Sequence, residues 1–200
     1  MQYFNVLMGQ GSAIRHEPSL FQHIGVNSSL ESKVQPLTDK KFAYKAKHGK
    51  ENPPATLLTT IKQYSHNSIS LAYSKSPGYF WGYPPKEGDV VWILLDEPTR
   101  IKEIKISTGS ETHKQDYLKS GLLEGSSTII DSSNDSKKVK CGNLIYIGAF
   151  EKGQLHIKDL DDTLDVELQC LRVSVIQRQT PWLIIEEISI KESKIKVNRS

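Results

Sequence analysis

From Asn52 onward the chain is written in short apolar runs, most of them alternating with polar residues and separated by turn residues. Alternation with a period of two puts successive side chains on opposite faces of a strand, and a series of such runs predicts an all-β antiparallel sandwich. LRVSVIQ is the clearest case: Leu171, Val173 and Val175 share one face, Arg172 and Ser174 the other. KEIKIST sends Ile104 and Ile106 inward, and WLIIEEISIKE does the same with Ile188 and Ile190. VVWILLDEP is apolar at both parities, Val91, Ile93 and Leu95 against Val90, Trp92 and Leu94, which predicts a strand covered on both faces. LLTTIKQY and SISLAYS read as two further strand segments around the turn SHNS, and NLIYIGAF and QLHIKDL flank EKG as a predicted hairpin. No run of a dozen residues carries a helical period, and no internal repeat is present.

Residues 1–51 lack this texture and are taken as an irregular lead-in, leaving 52–195 as the β domain. Two long polar stretches interrupt the domain. LEGSSTIIDSSNDSKKVK, rich in Ser, Asp and Lys, reads as a mobile excursion. STGSETHKQDYLKSG is compact and chemically varied, and is the better place for a site.

Composition narrows the function. At 200 residues and 37% apolar content the chain can bury a core. Its net charge of +3 is scattered among interleaved Lys and Glu, so the basic footprint of a nucleic-acid binder is missing. No window approaches the roughly eighteen consecutive apolar residues of a membrane span, and the first residues lack the basic start of a secretory signal. The chain as written is therefore expected to be soluble, with no membrane contact of its own. Cys141 and Cys170 are too few for a disulfide scaffold or a four-cysteine zinc site; each lies at the edge of a strand-like segment, where a disulfide and two buried thiols are both open. Sequons at Asn27, Asn134 and Asn198 permit N-glycosylation in a luminal protein.

Few motifs point to catalysis. DLDDTLDVE is read as a solvated acidic loop, with a weak calcium site as the residual option. The six histidines show no ligand spacing, and Gly142, Gly148 and Gly153 precede no helix start that would make a phosphate cradle. Sugar recognition needs less: a carboxylate for paired hydroxyls, a donor, and an aromatic face for C–H groups. Glu111, His113, Asp116 and Tyr117 supply the polar part from one loop; the competing role for Glu111 or Asp116 is to cap that loop by accepting main-chain N–H groups. In GYFWGYPP, Trp81 is assigned to the core together with Trp92 and Trp182, and Tyr79 and Phe80 are the aromatics available to a pocket.

The ordered segments YFW, GDVVWILLDEPTRIKEIKISTG and LRVSVIQRQTPWLIIEEISI resemble the galactose-binding-like, or discoidin-type, jelly roll. With FQHIGVNSSLESKVQ, ENPPA and IGAFEKG, they are similar to the C-terminal part of the N-acetylglucosaminyltransferase IV family, over about Ser19 to Lys191. That family adds β1,4-linked GlcNAc to the α1,3-mannose arm of N-glycans in the Golgi. The resemblance implies that residues 1–51 correspond to the end of a catalytic domain, and the rest to an accessory lectin-like domain for GlcNAc-terminated N-glycans. The family's loop also carries His and Asp at the spacing of His113 and Asp116, which favours binding over capping for Asp116. It further implies a Golgi-luminal setting within a type II membrane protein, or secretion, with a catalytic glycosyltransferase domain as partner. UDP-GlcNAc and a divalent metal are expected only for the full-length enzyme, and no cofactor for this chain. The alternatives are a chain that transfers GlcNAc as part of a longer enzyme, and a non-catalytic regulator of a Golgi glycosyltransferase.

Overall fold

A computed structural model describes residues 52–75, 78–131 and 134–193, so the lead-in over residues 1–51 and the sequons at Asn27 and Asn198 lie outside the described residues. The strands, in chain order, are β1 (Ala55–Thr59), β2 (Phe80–Gly82), β3 (Val90–Thr99), β4 (Ile101–Thr108), β5 (Gly121–Ser126) and β6 (Ile129–Asp131). They continue with β7 (Lys140–Cys141), β8 (Ile145–Ala149), β9 (Gln154–Ile157), β10 (Leu168–Val175) and β11 (Leu183–Glu192). One sheet has the order β1-β3-β10-β5-β8, the other β2-β11-β4-β9, and β6 and β7 form a separate ribbon. Every pairing is antiparallel, and the two sheets make the sandwich that the alternation predicts, in the jelly-roll form that the resemblance implies.

Parity decides what fills the space between the sheets. Val91, Ile93 and Leu95 of β3 and Leu171, Val173 and Val175 of β10 face inward from one sheet, and meet Ile104, Ile106, Ile185, Ile188 and Ile190 from the other. Ile188 lies opposite Ile106 and Ile190 opposite Ile104, so the four side chains form one buried ladder. Fully burying such a side chain stabilises the fold by about 1.5–3 kcal/mol before entropic costs. Asn52 ties the start of the domain to its end: its Nδ2 donates to the carbonyls of Tyr73 and Ile188 at 2.9 Å, and its Oδ1 accepts from the Ile190 N–H at 2.7 Å.

The other parity of β3 is also covered. Val90, Trp92 and Leu94 pack with Leu58, Ile129, Val139, Cys141 and Cys170 in a second cluster outside the five-stranded sheet. The β6–β7 ribbon supplies that cover, and a disulfide joins Cys141 to Cys170 with a Cα–Cα distance of 6.2 Å. Trp92 donates its indole N–H to the Ser136 carbonyl at 3.0 Å, fixing the ribbon from beneath. The stretch expected to be a mobile excursion is thus partly strand β5 and partly a pinned flap; its polar composition concealed the few apolar anchors, Ile129 and Val139, that seat it.

Two local expectations are corrected. SISLAYS forms a 3-10 turn at Ile69–Ala72 instead of a strand, because i→i+3 bonds such as Leu71 N–H to Ser68 O (3.1 Å) satisfy its backbone locally. EKG is a tight turn with Lys152 and Gly153 at φ 48° and 78°, closed by reciprocal bonds between Glu151 and Gln154. Its strands do not form a hairpin, however: β8 pairs with β5 in one sheet and β9 with β4 in the other, so the turn is a corner between layers.

Candidate functional site

The loop after β4 is clamped at both ends. Gly109 N–H donates to the Ile184 carbonyl at 2.9 Å, and Ile184 N–H donates to the Asp116 carbonyl at 2.7 Å, so residues 109–116 arch beside the first turns of β11. Gly109 sits at φ 82°, and a Cβ there would press on Tyr117 Cβ at 3.2 Å, which ties glycine to this position. Thr108 Oγ1 donates to Gly153 O at 2.6 Å and accepts from Leu118 N–H at 2.9 Å, while Leu118 is driven into the core. Gln179, 4% exposed, completes the base: its Nε2 lies 3.0 Å from Tyr117 O and 3.2 Å from the carbonyls of Pro181 and Trp182, and its Oε1 accepts from Lys119 N–H. Sequence reading missed Gln179, since nothing local marks one glutamine as buried.

Within the arch the capping is done by serine. Ser110 Oγ accepts from His113 N–H at 3.0 Å, and His113 O accepts from Asp116 N–H at 3.1 Å. The carboxylates of Glu111 and Asp116 make no hydrogen bond to any described residue, so neither performs the loop-capping role held open for it. Thr112 Oγ1 lies 2.9 Å from His113 Nδ1 and holds the imidazole across the arch.

The four sugar-site candidates from this loop divide between two surfaces. Glu111 and Tyr117 line an open groove of about 590 Å³, with Lys114, Lys152, Gln154 and Glu186 around it. His113 instead packs on Trp81, with ring centroids 4.9 Å apart. Asp116 is partly exposed where the arch returns to Ile184, whose cross-strand partner is Trp81.

Here the aromatic assignments need correction. Ile185 pairs with Phe80 and Ile184 with Trp81, so Phe80 points into the sandwich and is fully buried while Trp81 points out. Phe80 is therefore a core residue and unavailable to a ligand. Trp182, two residues before Ile184, shares its outward parity and does not belong to the core either. Tyr79 stands at the margin, 6.3 Å from the Trp81 ring. Trp81, Trp182 and Tyr64 form a triangle with centroid separations of 5.1, 5.1 and 5.6 Å, and Tyr83 extends it at 4.6 Å from Trp182. Tyr64 is placed by main-chain bonds to β2, its N–H donating to Trp81 O at 2.7 Å, and stays 40% exposed. The result is a ledge of rings on the outer face of the four-stranded sheet. The buried Trp81 indole N–H has no hydrogen-bond partner among the described residues.

The acidic stretch 159–167 behaves differently. It forms a short helix, Leu160–Thr163, where Arg100 reaches Asp165 at 2.7 Å and the Asp161 carbonyl at 3.0 Å, and Ser193 donates to Asp161 at 2.6 Å. The Ser193 hydroxyl holds the Asp161 carboxyl below its ordinary range. Among the described residues no three His, Cys, Asp or Glu side chains come together as a metal-ligand set.

Comparison with known proteins bears on this geometry. The profile of the MGAT4 C-terminal domain matches residues 55–187. The chain belongs to this family. Alpha-1,3-mannosyl-glycoprotein 4-beta-N-acetylglucosaminyltransferase C of Sus scrofa is 36% identical over 190 residues, covering 95% of this chain and 39% of the relative. Alpha-1,6-mannosyl-glycoprotein 4-beta-N-acetylglucosaminyltransferase of Gallus gallus is likewise 36% identical, over 95% of this chain and 40% of the relative. The MGAT4-family chain thus spans about two fifths of the length of these curated relatives. Among solved structures, chitosan-binding module 2 from a chitosanase/glucanase of Paenibacillus sp. IK-5, in complex with chitotriose, aligns with TM-score 0.50 and 12% identity over 70% of this chain and 97% of that one. The CBM32-1, CBM32-2 and M60 catalytic domains of Clostridium perfringens ZmpB align with TM-score 0.50 and 15% identity over 80% of this chain and 16% of that one. At such identities the likeness is one of fold alone, the antiparallel jelly-roll sandwich.

Proposed function

We propose that residues 52–193 are a lectin-like module that holds GlcNAc-terminated N-glycans for the catalytic domain of a Golgi β1,4-N-acetylglucosaminyltransferase. The observation that carries the reading is the aromatic ledge of Tyr64, Trp81 and Trp182 at the end of the arch where the Asp116 carbonyl accepts from the N–H of Ile184, the cross-strand partner of Trp81, while the Asp116 carboxylate bonds to no described residue. A pyranose presents an apolar C–H face and a rim of hydroxyls; the rings take the first and the carboxylate accepts from the second. His113, fixed against Trp81 and Thr112, supplies a further polar edge at the same margin. In this role the chain performs no transfer, and UDP-GlcNAc and its metal belong to the catalytic partner. The Cys141–Cys170 disulfide supports an oxidising, luminal or secreted setting.

A small hydrated ligand on an open ledge gains little beyond the cost of immobilising it, so binding near the millimolar range, about −4 kcal/mol, is expected. The test is a titration of the chain, followed by amide chemical shifts, with a biantennary N-glycan ending in GlcNAc and with the same glycan capped by galactose. Shifts clustered on residues 109–117 and the ledge, for the GlcNAc form alone, support the reading. Equal response to both glycans, or shifts elsewhere, contradicts it.

A further inference from the structure

A second groove, of about 440 Å³, lies on the far side of the sandwich from the ledge, between the β6–β7 ribbon and the outer face of β1 and β3. Asn134 is itself part of its wall. Asn134, Asp135 and Ser136 make a sequon, Asn134 is exposed, and the ribbon that carries it is stapled by the disulfide, which forms in the same compartments that attach N-glycans. We infer that Asn134 is an N-glycosylation site and that the first GlcNAc of its glycan lies along this groove.

The covalent step is an ordinary group transfer from a lipid-diphosphate oligosaccharide. The Asn134 Nδ2 forms a bond to the anomeric carbon, the bond from that carbon to the diphosphate oxygen breaks, and the electron pair leaves with the lipid diphosphate. One Nδ2 proton passes to the transferase's base, so atoms and charge balance. The Ser136 hydroxyl supplies the sequon's third position.

The fold directs the attached sugar. Two residues beyond Asn134, the Ser136 carbonyl is held by Trp92 Nε1 at 3.0 Å, so the linkage point is fixed relative to the sheet. The groove beside it offers Ile130, 71% exposed, as an apolar wall, and Thr56, Asp96 and Gln169 as hydrogen-bonding partners. That combination suits the C–H face and the hydroxyl and acetamido edges of one GlcNAc. A sugar seated there shields Ile130, a large exposed apolar side chain on the flap, from water. Being on the opposite sheet from the ledge, this glycan leaves the proposed binding surface open, and the inference does not depend on the lectin reading.

The experiment is to express the 200-residue chain behind a secretory leader in mammalian cells and map its glycopeptides by mass spectrometry, which separates Asn134 from Asn27 and Asn198. A glycan on the Asn134 peptide, absent in Asn134→Gln and Ser136→Ala and more abundant in Ser136→Thr, is expected. An unmodified Asn134 peptide in secreted, disulfide-bonded protein, with Ser136→Thr no better, overturns the site. To test the seat, the glycan is trimmed to its first GlcNAc and the protein is melted beside Asn134→Gln. A melting temperature higher by about 2 °C, reduced by Ile130→Ser, is expected; identical melting of the trimmed and Asn134→Gln proteins overturns the seat while leaving the attachment intact.

Discussion

The two outer faces of the sandwich begin alike and finish differently. Each carries apolar residues where a one-sided sheet would have polar ones: Trp92 and Leu94 on the five-stranded sheet, Trp81, Trp182 and Ile184 on the four-stranded sheet. The first set is sealed by the protein's own ribbon and disulfide, and Trp92 is left 6% exposed with its N–H satisfied. On the second face Ile184 is roofed by the 109–116 arch, but the rings around it stay partly open. This chain covers one outward tryptophan with its own ribbon and leaves the rings of the other face partly open to solvent, and it is on that open face that the proposed sugar contact rests.

That contrast can be broken most strongly at its tryptophans. Trp92→Ala removes a buried indole and its bond to Ser136, and is expected to cost about 3–5 kcal/mol in urea unfolding, whereas Trp182→Ala is expected to cost about 1 kcal/mol and to abolish glycan binding. Similar losses from both substitutions would show that the ledge is merely a second core. Opening the disulfide by replacing Cys141 and Cys170 with Ala and Val, respectively, is expected to lower stability by about 2–4 kcal/mol and to speed amide exchange in residues 134–141, while glycan affinity stays within about twofold. Asn52→Ala leaves the Tyr73 and Ile188 carbonyls and the Ile190 N–H without their partner, and should lower stability by about 2–3 kcal/mol without touching either outer face.

A smaller effect is a pH dependence. Glu103 accepts from Lys191 at 2.8 Å and pairs with His156 at 2.6 Å, and these bonds, Lys191 first, pull its carboxyl from 4.5 down to about 2. A folded-state value below the unfolded one means the stabilisation is present above about pH 4.5 and is lost as pH falls toward 2. Glu103→Gln should therefore flatten the stability profile between those values, matching the parent toward pH 2 and falling slightly below it from about pH 4.5 up through neutral pH, a small difference because the cluster is largely solvated.

Much of the scaffold was legible because its phase is set locally. In KEIKIST, and in LRVSV up to the end of β10, only one parity is apolar, so inward and outward follow from the residues alone. VVWILLDEP announced a doubly covered strand, although its cover was hidden in a stretch whose polar residues outnumber its anchors. The aromatic segment was harder. YFWGY has rings at both parities, and the choice between Phe80 and Trp81 is made by pairing with Ile185 and Ile184, about a hundred residues away. Tyr64 and Gln179 likewise acquire their places through partners distant in the chain, Trp81 and Tyr117 among them. His113 and Asp116, by contrast, stood out in sequence because the loop that carries them is short and chemically dense.

The most direct measurement titrates Asp116→Asn, beside the unaltered protein, with the GlcNAc-terminated glycan. Since the carboxylate bonds to no described residue, the variant should melt within about 1 °C of the parent. Its affinity should fall at least about tenfold, the loss of a charged acceptor costing about 1.5–3 kcal/mol. Undiminished binding in a stably folded Asp116→Asn protein would contradict the assignment of the sugar to this margin of the ledge.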